Sequence, residues 1–180
     1  MSSTTPTVFV IDDEASMRRA ITRLLASAGF ATQGYASAGD FLADYEPSRP
    51  GCLMLDLAMP GLSGLELQQI LRARGMSPPI IFLTGHAEIA DSVKAMKGGA
   101  VEFLTKPVED EELIAAVRDA LAKDALARGS QAQIDAIRER LASLTPREHQ
   151  VLRCVIAGKL NKQTAAELGT VEKTIKVHRA

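Results

Sequence analysis

The sequence predicts an α/β unit built on a five-stranded parallel sheet, doubly wound by helices on both faces, followed by an all-helical remainder. Three observations predict it. Five short apolar runs alternate with helix-period segments as far as Leu121. Four of those runs stop at polar residues: Asp12-Asp13, Asp56, Thr84 and Thr105-Lys106. Beyond Leu121 the strand signals cease. Strands alternating with helices of this size imply βαβ units with right-handed crossovers.

The elements follow in order. Residues 7–11, Thr-Val-Phe-Val-Ile, are apolar without alternation, which suits a strand buried on both faces. Met17, Ile21, Leu24 and Leu25 then recur at helical spacing before Gly29. Ala31 to Tyr35 is the weakest strand candidate, and Phe41, Leu42 and Tyr45 mark a short helix. Cys52-Leu53-Met54-Leu55 is the next strand, with a helix through Leu67, Ile70 and Leu71 ahead of Gly75. Ile80 to Leu83 is a strand, and Ile89, Val93 and Met96 give a helix before Gly98-Gly99. Val101 to Leu104 is the fifth strand, and Leu113, Val117 and Leu121 form the fifth helix.

Lys123 to Gln133 is rich in Ala, Gln and charge, with an expected interruption at Gly129-Ser130. Ile134, Ile137, Leu141 and Leu144 are spaced 3, 4 and 3, an a/d seam. Two heptads are too few for a coiled coil, so an amphipathic linker helix lying on a neighbouring domain is expected. Thr145-Pro146-Arg147-Glu148 is a helix start. Thr145 accepts from the N3 amide, Pro146 loses nothing at N1, and Glu148 reaches back. That helix ends near Gly158. A second is expected to be capped by Asn161 and to end at Leu168-Gly169. A third begins near Val171 and is expected to run on to Ala180. The predicted organisation is 5–122 for the α/β domain, 123–143 for the linker and 144–180 for a small helical domain.

Composition bounds the rest. Of 180 residues, 46% are hydrophobic and 24% charged, which excludes a disordered chain. No run approaches the ~18 apolar residues of a membrane helix, and Met1 to Thr7 has no basic or apolar leader segment. The expected address is the cytoplasm, with no membrane partner. Cys52 and Cys154 have neither CxxC nor His spacing, so inert buried thiols are expected. The net charge of −1 hides an asymmetry. Residues 1–122 hold 16 acidic and 10 basic residues, and residues 123–180 hold 6 and 11. All five Phe and both Tyr lie at or before Phe103. The basic, aromatic-free end points to a polyanion and away from base stacking on single strands.

In an open parallel sheet, ligands sit at the carboxyl ends of the strands. Asp12, Asp13, Asp56, Thr84 and Lys106 would therefore converge on one rim. Three carboxylates together repel unless a cation is present, and hard oxygen ligands suit Mg²⁺. An ammonium, a hydroxyl and a spare carboxylate would then stabilise phosphoryl oxygens, with a carboxylate as nucleophile.

The chain resembles a two-component response regulator. Residues 7–121 resemble a flavodoxin-like receiver domain through Val-Ile-Asp-Asp (10–13), Leu-Asp-Leu-Ala-Met-Pro-Gly (55–61), Leu-Thr-Gly-His (83–86) and Phe-Leu-Thr-Lys-Pro (103–107). Residues 144–179 resemble the start of a helix-turn-helix of the LuxR/FixJ type, through Leu-Thr-Pro-Arg-Glu and Lys-Thr-Ile-Lys-Val-His. The resemblance implies that Asp56 accepts phosphate from a histidine kinase. It implies that Asp13, Asp56 and the Ala58 carbonyl hold Mg²⁺, with Asp12 acting mainly through water. Lys106 would pair with the phosphoryl group, Thr84 would swing toward it, and burial of Phe103 would track activation. The Lys106-Pro107 bond would be cis, Gly85 would leave the phosphate room, and His86 would influence its lifetime. Val108 departs from the Phe often found there.

In such a domain the second helix of the motif enters the major groove. Lys176 and Val177 match positions that face bases, while Lys173, Thr174 and Arg179 would lie at or near phosphates. Val171 departs from the usual capping Ser, leaving Thr170 to cap, and Thr164 stands where an aliphatic residue is usual. The sequence ends at Ala180, inside the expected recognition helix, so the small domain reads as C-terminally truncated and its own binding to double-stranded DNA as weak or absent. The reading is a phosphorylation-switched transcription regulator, not an enzyme, that homodimerises through the helix of Val93 and Met96 and the following strand. The rivals are a receiver acting on protein partners without DNA and an aspartyl-phosphate phosphohydrolase. The latter resembles Asp-x-Asp after the first strand, whereas Asp12 and Asp13 are adjacent.

Overall fold

The fold is that of a computed structural model that describes residues 5–85 and 88–179. Five strands pair in parallel: β1 (Thr7–Ile11), β2 (Ala31–Tyr35), β3 (Gly51–Leu55), β4 (Ile80–Thr84) and β5 (Glu102–Thr105). Their order is β2-β1-β3-β4-β5. The connection direction reverses at β1 and β3, which opens a crevice beyond their carboxyl ends.

The continuous apolar runs are explained by the two cores they serve. Phe9, Ile11, Leu53, Leu55, Ile80 and Phe82 share one cluster with Phe41, Leu67, Leu71 and Ala95. Those partners come from α2 (Ala38–Asp44), α3 (Gly64–Ala73) and α4 (Ile89–Lys97). Val8, Val10, Cys52, Met54, Ile81 and Leu83 share the other cluster with Ile21, Leu25, Leu113 and Val117. These come from α1 (Ala15–Ser27) and α5 (Asp110–Ala142). Successive strand residues face opposite sides, so a strand covered on both sides has no polar positions to offer. Burial pushes the Cys52 thiol up to about 12, which leaves it protonated and unreactive.

Several expectations need correction. Tyr45 is not helical; it caps α2 in an extended conformation and stacks on Phe41. The helix α4 forms as expected, with Ile89, Val93 and Met96 exposed, at 85%, 44% and 46%, and Ala95 its buried residue. Gly129-Ser130 does not interrupt α5. A helical Gly costs only about 1 kcal/mol against Ala, and good helix formers flank this one. The seam residues Ile134, Ile137 and Leu141 are exposed, at 45%, 55% and 39%, so no covered face is found there.

The chain divides into two compact units between Arg128 and Gly129, later than the expected boundary after residue 122. The reason is polar. Asp124 accepts the Gly51 N–H at 2.9 Å and pairs with Arg128 at 2.8 Å. Arg128 donates to the carbonyls of Ser48 and Arg49 at 3.2 and 2.7 Å.

The second unit holds α6 (Pro146–Ile156), α7 (Asn161–Glu167) and α8 (Glu172–His178). Val151, Ala165 and Ile175 form its core, with Val155 and Leu168 packed against them. The Thr145–Glu148 capping box forms as expected. Asn161 does not cap α7. Leu160 occupies that position and donates its N–H to Gln163 Oε1 at 2.9 Å, while Asn161 Oδ1 accepts from Arg179. Nor does Thr170 cap α8, which starts after Val171 without a side-chain cap and ends at His178. Among the described residues no helix is long and apolar enough to cross a membrane.

Candidate functional site

The carboxyl ends of β1, β3, β4 and β5 bring the expected residues to one rim. Asp12 follows β1 and is buried; Asp56 follows β3; Thr84 ends β4 and is buried; Lys106 follows β5. The Lys106 ammonium lies 2.9 Å from Asp12 Oδ2 and 3.9 Å from Asp56 Oδ2. Its backbone N–H donates to the Thr84 carbonyl at 2.8 Å, and the Lys106-Pro107 bond is cis. Phe103 is half-buried beside Phe82, with ring centroids 6.0 Å apart. His86 lies outside the described residues.

The carboxylates are not equivalent. Both oxygens of Asp12 are engaged: Oδ1 accepts the Glu14 N–H at 2.8 Å, and Oδ2 takes the lysine. Asp56 Oδ1 accepts the Leu57 N–H at 2.8 Å. Burial pushes the Asp56 carboxyl above the usual carboxylate range. The Lys106 ammonium opposes that shift, the Asp12 charge adds to it, and the N–H groups of Leu57 and Ala58 oppose it. Such a pocket favours whatever cation will share it.

The donor set fits a hard divalent ion. Asp12, Asp13 and Asp56 each offer an oxygen within 4.8 Å of the others. Oxygens around Mg²⁺ at about 2.1 Å lie roughly 3–4 Å apart, and such an ion takes only one or two carboxylates with several waters. The exposed Asp13 and the half-covered Asp56 are the freer two.

Four supports escaped the sequence reading. Gly64 opens α3 so close to Asp56 that a Cβ there would lie 2.4 Å from the Asp56 carbonyl oxygen. The Ser63–Glu66 capping box that starts α3 was a readable signal, Ser-x-x-Glu before an apolar run. Arg18 donates to the Asp12 carbonyl at 2.6 Å, which steadies the β1–α1 turn, and nothing local in the sequence marks it. The Asp124–Arg128 pair is the fourth, visible as an i,i+4 spacing but without its partner strand.

On α8, Lys173, Lys176 and Val177 are exposed and Ile175 is buried. Thr174 is half-buried, Lys176 pairs with Glu172 at 3.5 Å, and Arg179 is held by Asn161. The helix thus keeps one face for its unit and presents a basic one.

Residues 8–118 match the response regulator receiver domain family, and residues 142–180 match the bacterial regulatory proteins of the luxR family. The chain belongs to the response regulators. It is 43% identical over 179 residues to response regulator protein TodT of Pseudomonas putida, covering 99% of this chain and 79% of that protein. It is 42% identical over 173 residues to transcriptional regulatory protein FixJ of Azorhizobium caulinodans, covering 96% of this chain and 82% of that protein. The solved structure of response regulator StyR superposes with a TM-score of 0.89 at 46% identity, over 97% of this chain and 88% of that one. As a response regulator with a luxR-type region, the chain is a transcriptional regulator of a two-component system. A histidine kinase and DNA are its general partners.

Proposed function

We propose that Asp56 is the phosphoacceptor of this response regulator, and that its phosphorylation promotes dimerisation and DNA binding by α8. The observation that carries the reading is the Lys106 ammonium held 2.9 Å from Asp12 and 3.9 Å from Asp56, beside a buried Thr84. An Asp56 carboxylate oxygen would attack the phosphorus of a kinase phosphohistidine. The P–N bond breaks, and the imidazole leaves with its electron pair and is protonated. Lys106 would then move its charge from Asp12 toward the new phosphoryl oxygens, and Thr84 would donate its hydroxyl. Asp13, Asp56 and the Ala58 carbonyl would hold Mg²⁺, with Asp12 reaching it through water. The ion when bound supplies charge that lets three carboxylates and a phosphoryl group share one pocket. The expected address is the cytoplasm, where such a partner DNA lies.

The dimer face proposed is α4 with β5. The exposure of Ile89, Val93 and Met96 supports it, since such a patch on a surface helix marks an interaction site. For DNA, Lys176 and Val177 would read bases, with Lys173, Thr174 and Arg179 at or near phosphates. Phosphorylation replaces the single negative charge of the Asp56 carboxylate with a phosphoryl group carrying about −1.5 to −2, and shifts populations only by its differential stabilisation of the active state.

The test is incubation with a small phosphodonor and Mg²⁺, read by intact mass and by size. Wild type should take up one phosphoryl group and dimerise, and Asp56→Asn should do neither. Incorporation that survives the substitution removes Asp56 from its role. In a gel shift with candidate promoter DNA, sequence-selective binding excludes a receiver that works through protein partners alone, whereas a weak or absent shift is what residues 1–180 are expected to give.

A further inference from the structure

We infer that the exposed seam of α5 is a second contact between two copies of this chain, a short parallel helix pair that closes only once the receivers have dimerised. This rests on the dimer reading above. The pattern is self-matching. Ser130, Ile134, Ile137 and Leu141 occupy successive d, a, d and a positions, and α5 runs unbroken beneath them to Ala142. The three large residues are between 39% and 55% exposed, in a stretch, 130–142, whose other residues are polar or alanine. Knobs of this kind seek an equivalent helix.

Charge allows a like copy. In parallel register, Gln133 at g meets Arg138 at e of the second helix, so no like charges oppose. Arg138 is already paired with Asp135 at 3.3 Å, and Gln131 donates to the same Asp135 at 2.9 Å. The flanks are thereby satisfied within each helix. Parallel pairing follows from the output, because two reading helices must reach neighbouring half-sites from the same side.

Area makes the contact conditional. Three large side chains from each copy, each already about half covered, fall far short of the ~1,200 Å² of a stable interface. A seam this short cannot hold two free chains together. Once another contact has joined them, the effective concentration of one helix near the other reaches the millimolar range, and a weak seam can close.

The experiment places one cysteine on the seam, Ile137→Cys, and one beside it, Asp135→Cys, in the full chain. Both native thiols are buried, and the wild type controls for them. Each variant is oxidised gently with and without Mg²⁺ and acetyl phosphate, and its mass in solution is followed by light scattering. Ile137→Cys should cross-link at least tenfold faster with the phosphodonor, and Asp135→Cys should not. In a separate variant, Ile137→Glu should weaken the phosphorylated dimer about tenfold with unchanged phosphoryl uptake. Dimers that form without faster cross-linking at 137 than at 135 overturn the seam and leave the dimer reading standing. A chain that takes up phosphate and stays monomeric overturns both. Equal cross-linking with and without the phosphodonor, or an assembly larger than two, also overturns the proposal.

Discussion

The carboxylate of Asp124 accepts the backbone N–H of Gly51 at 2.9 Å, across 73 residues of chain. Gly51 opens β3, the strand whose far end delivers Asp56. Its φ of +155° and a Cβ position 2.0 Å from the Thr7 carbonyl oxygen leave no room for a side chain. The receiver is therefore closed at the base of β3 by a residue that the sequence reading assigned to the linker.

Asp124→Ala would strand a buried N–H and release Arg128 from its carboxylate. Lost hydrogen bonds to a buried charged group cost about 1.5–3 kcal/mol. Urea unfolding should show a loss in that range, with hydrogen exchange at Gly51 accelerated. Phosphoryl uptake at Asp56, at the other end of the strand, should change little. An unaltered unfolding midpoint would mean that the pair contributes nothing to the receiver.

Gly64→Ala tests the floor of the pocket. The new methyl would lie 2.4 Å from the Asp56 carbonyl oxygen and 3.1 Å from the Phe82 ring. Backbone must move, and the backbone that moves carries the nucleophile. Misplacement by about 1 Å can cost on the order of 100-fold in a positioned reaction. Phosphorylation by acetyl phosphate should slow by about 10- to 100-fold, read by mass against time, while the fold by circular dichroism persists.

Periodicity made most of the receiver readable, because the three central strands β1, β3 and β4 bury both faces and each site residue sits at a strand end. What escaped depends on contacts between distant segments. The spacing of Ile134, Ile137 and Leu141 read as a face lying on a neighbouring domain, yet all three are exposed, since spacing says which residues share a face and not what covers it. Asn161 looked like a cap by residue type, but a one-position shift of the helix start put it inside α7 and into the reach of Arg179. The engagement of both Asp12 oxygens by the Glu14 N–H and Lys106 could not be read from a run of two aspartates.

The pH dependence of stability should be set partly by Asp56. Its folded pKa is raised by burial above the unfolded value, so its contribution is fully present below the unfolded pKa. That contribution is lost as pH rises through the raised folded value. A cation that binds the ionised site offsets the loss. The gain in melting temperature from millimolar Mg²⁺ should therefore be small at low pH and grow as pH rises through that window. Asp56→Asn should flatten the metal-free curve and shrink the Mg²⁺ increment. An increment independent of pH would separate metal binding from Asp56 ionisation.

Thr164 is the weak point of the second unit. It lies in the core on α7 with no exposed surface, and among the described residues its Oγ1 has no hydrogen-bond partner. The core of this unit is apolar, formed by Val151, Ala165 and Ile175. A buried hydroxyl without a partner costs about 1–3 kcal/mol, whereas an apolar group of the same shape carries no such penalty. Valine replaces the hydroxyl with a methyl and keeps the branching that fixes χ1 in a helix. Thr164→Val should therefore stabilise this unit by about 1 kcal/mol, seen as a higher denaturant midpoint for its transition at unchanged slope. Thr164→Ser keeps the hydroxyl, removes a methyl and should move the midpoint down. Should valine destabilise, the hydroxyl must be satisfied in solution, and the site usually filled by an aliphatic residue would then be a polar one by requirement.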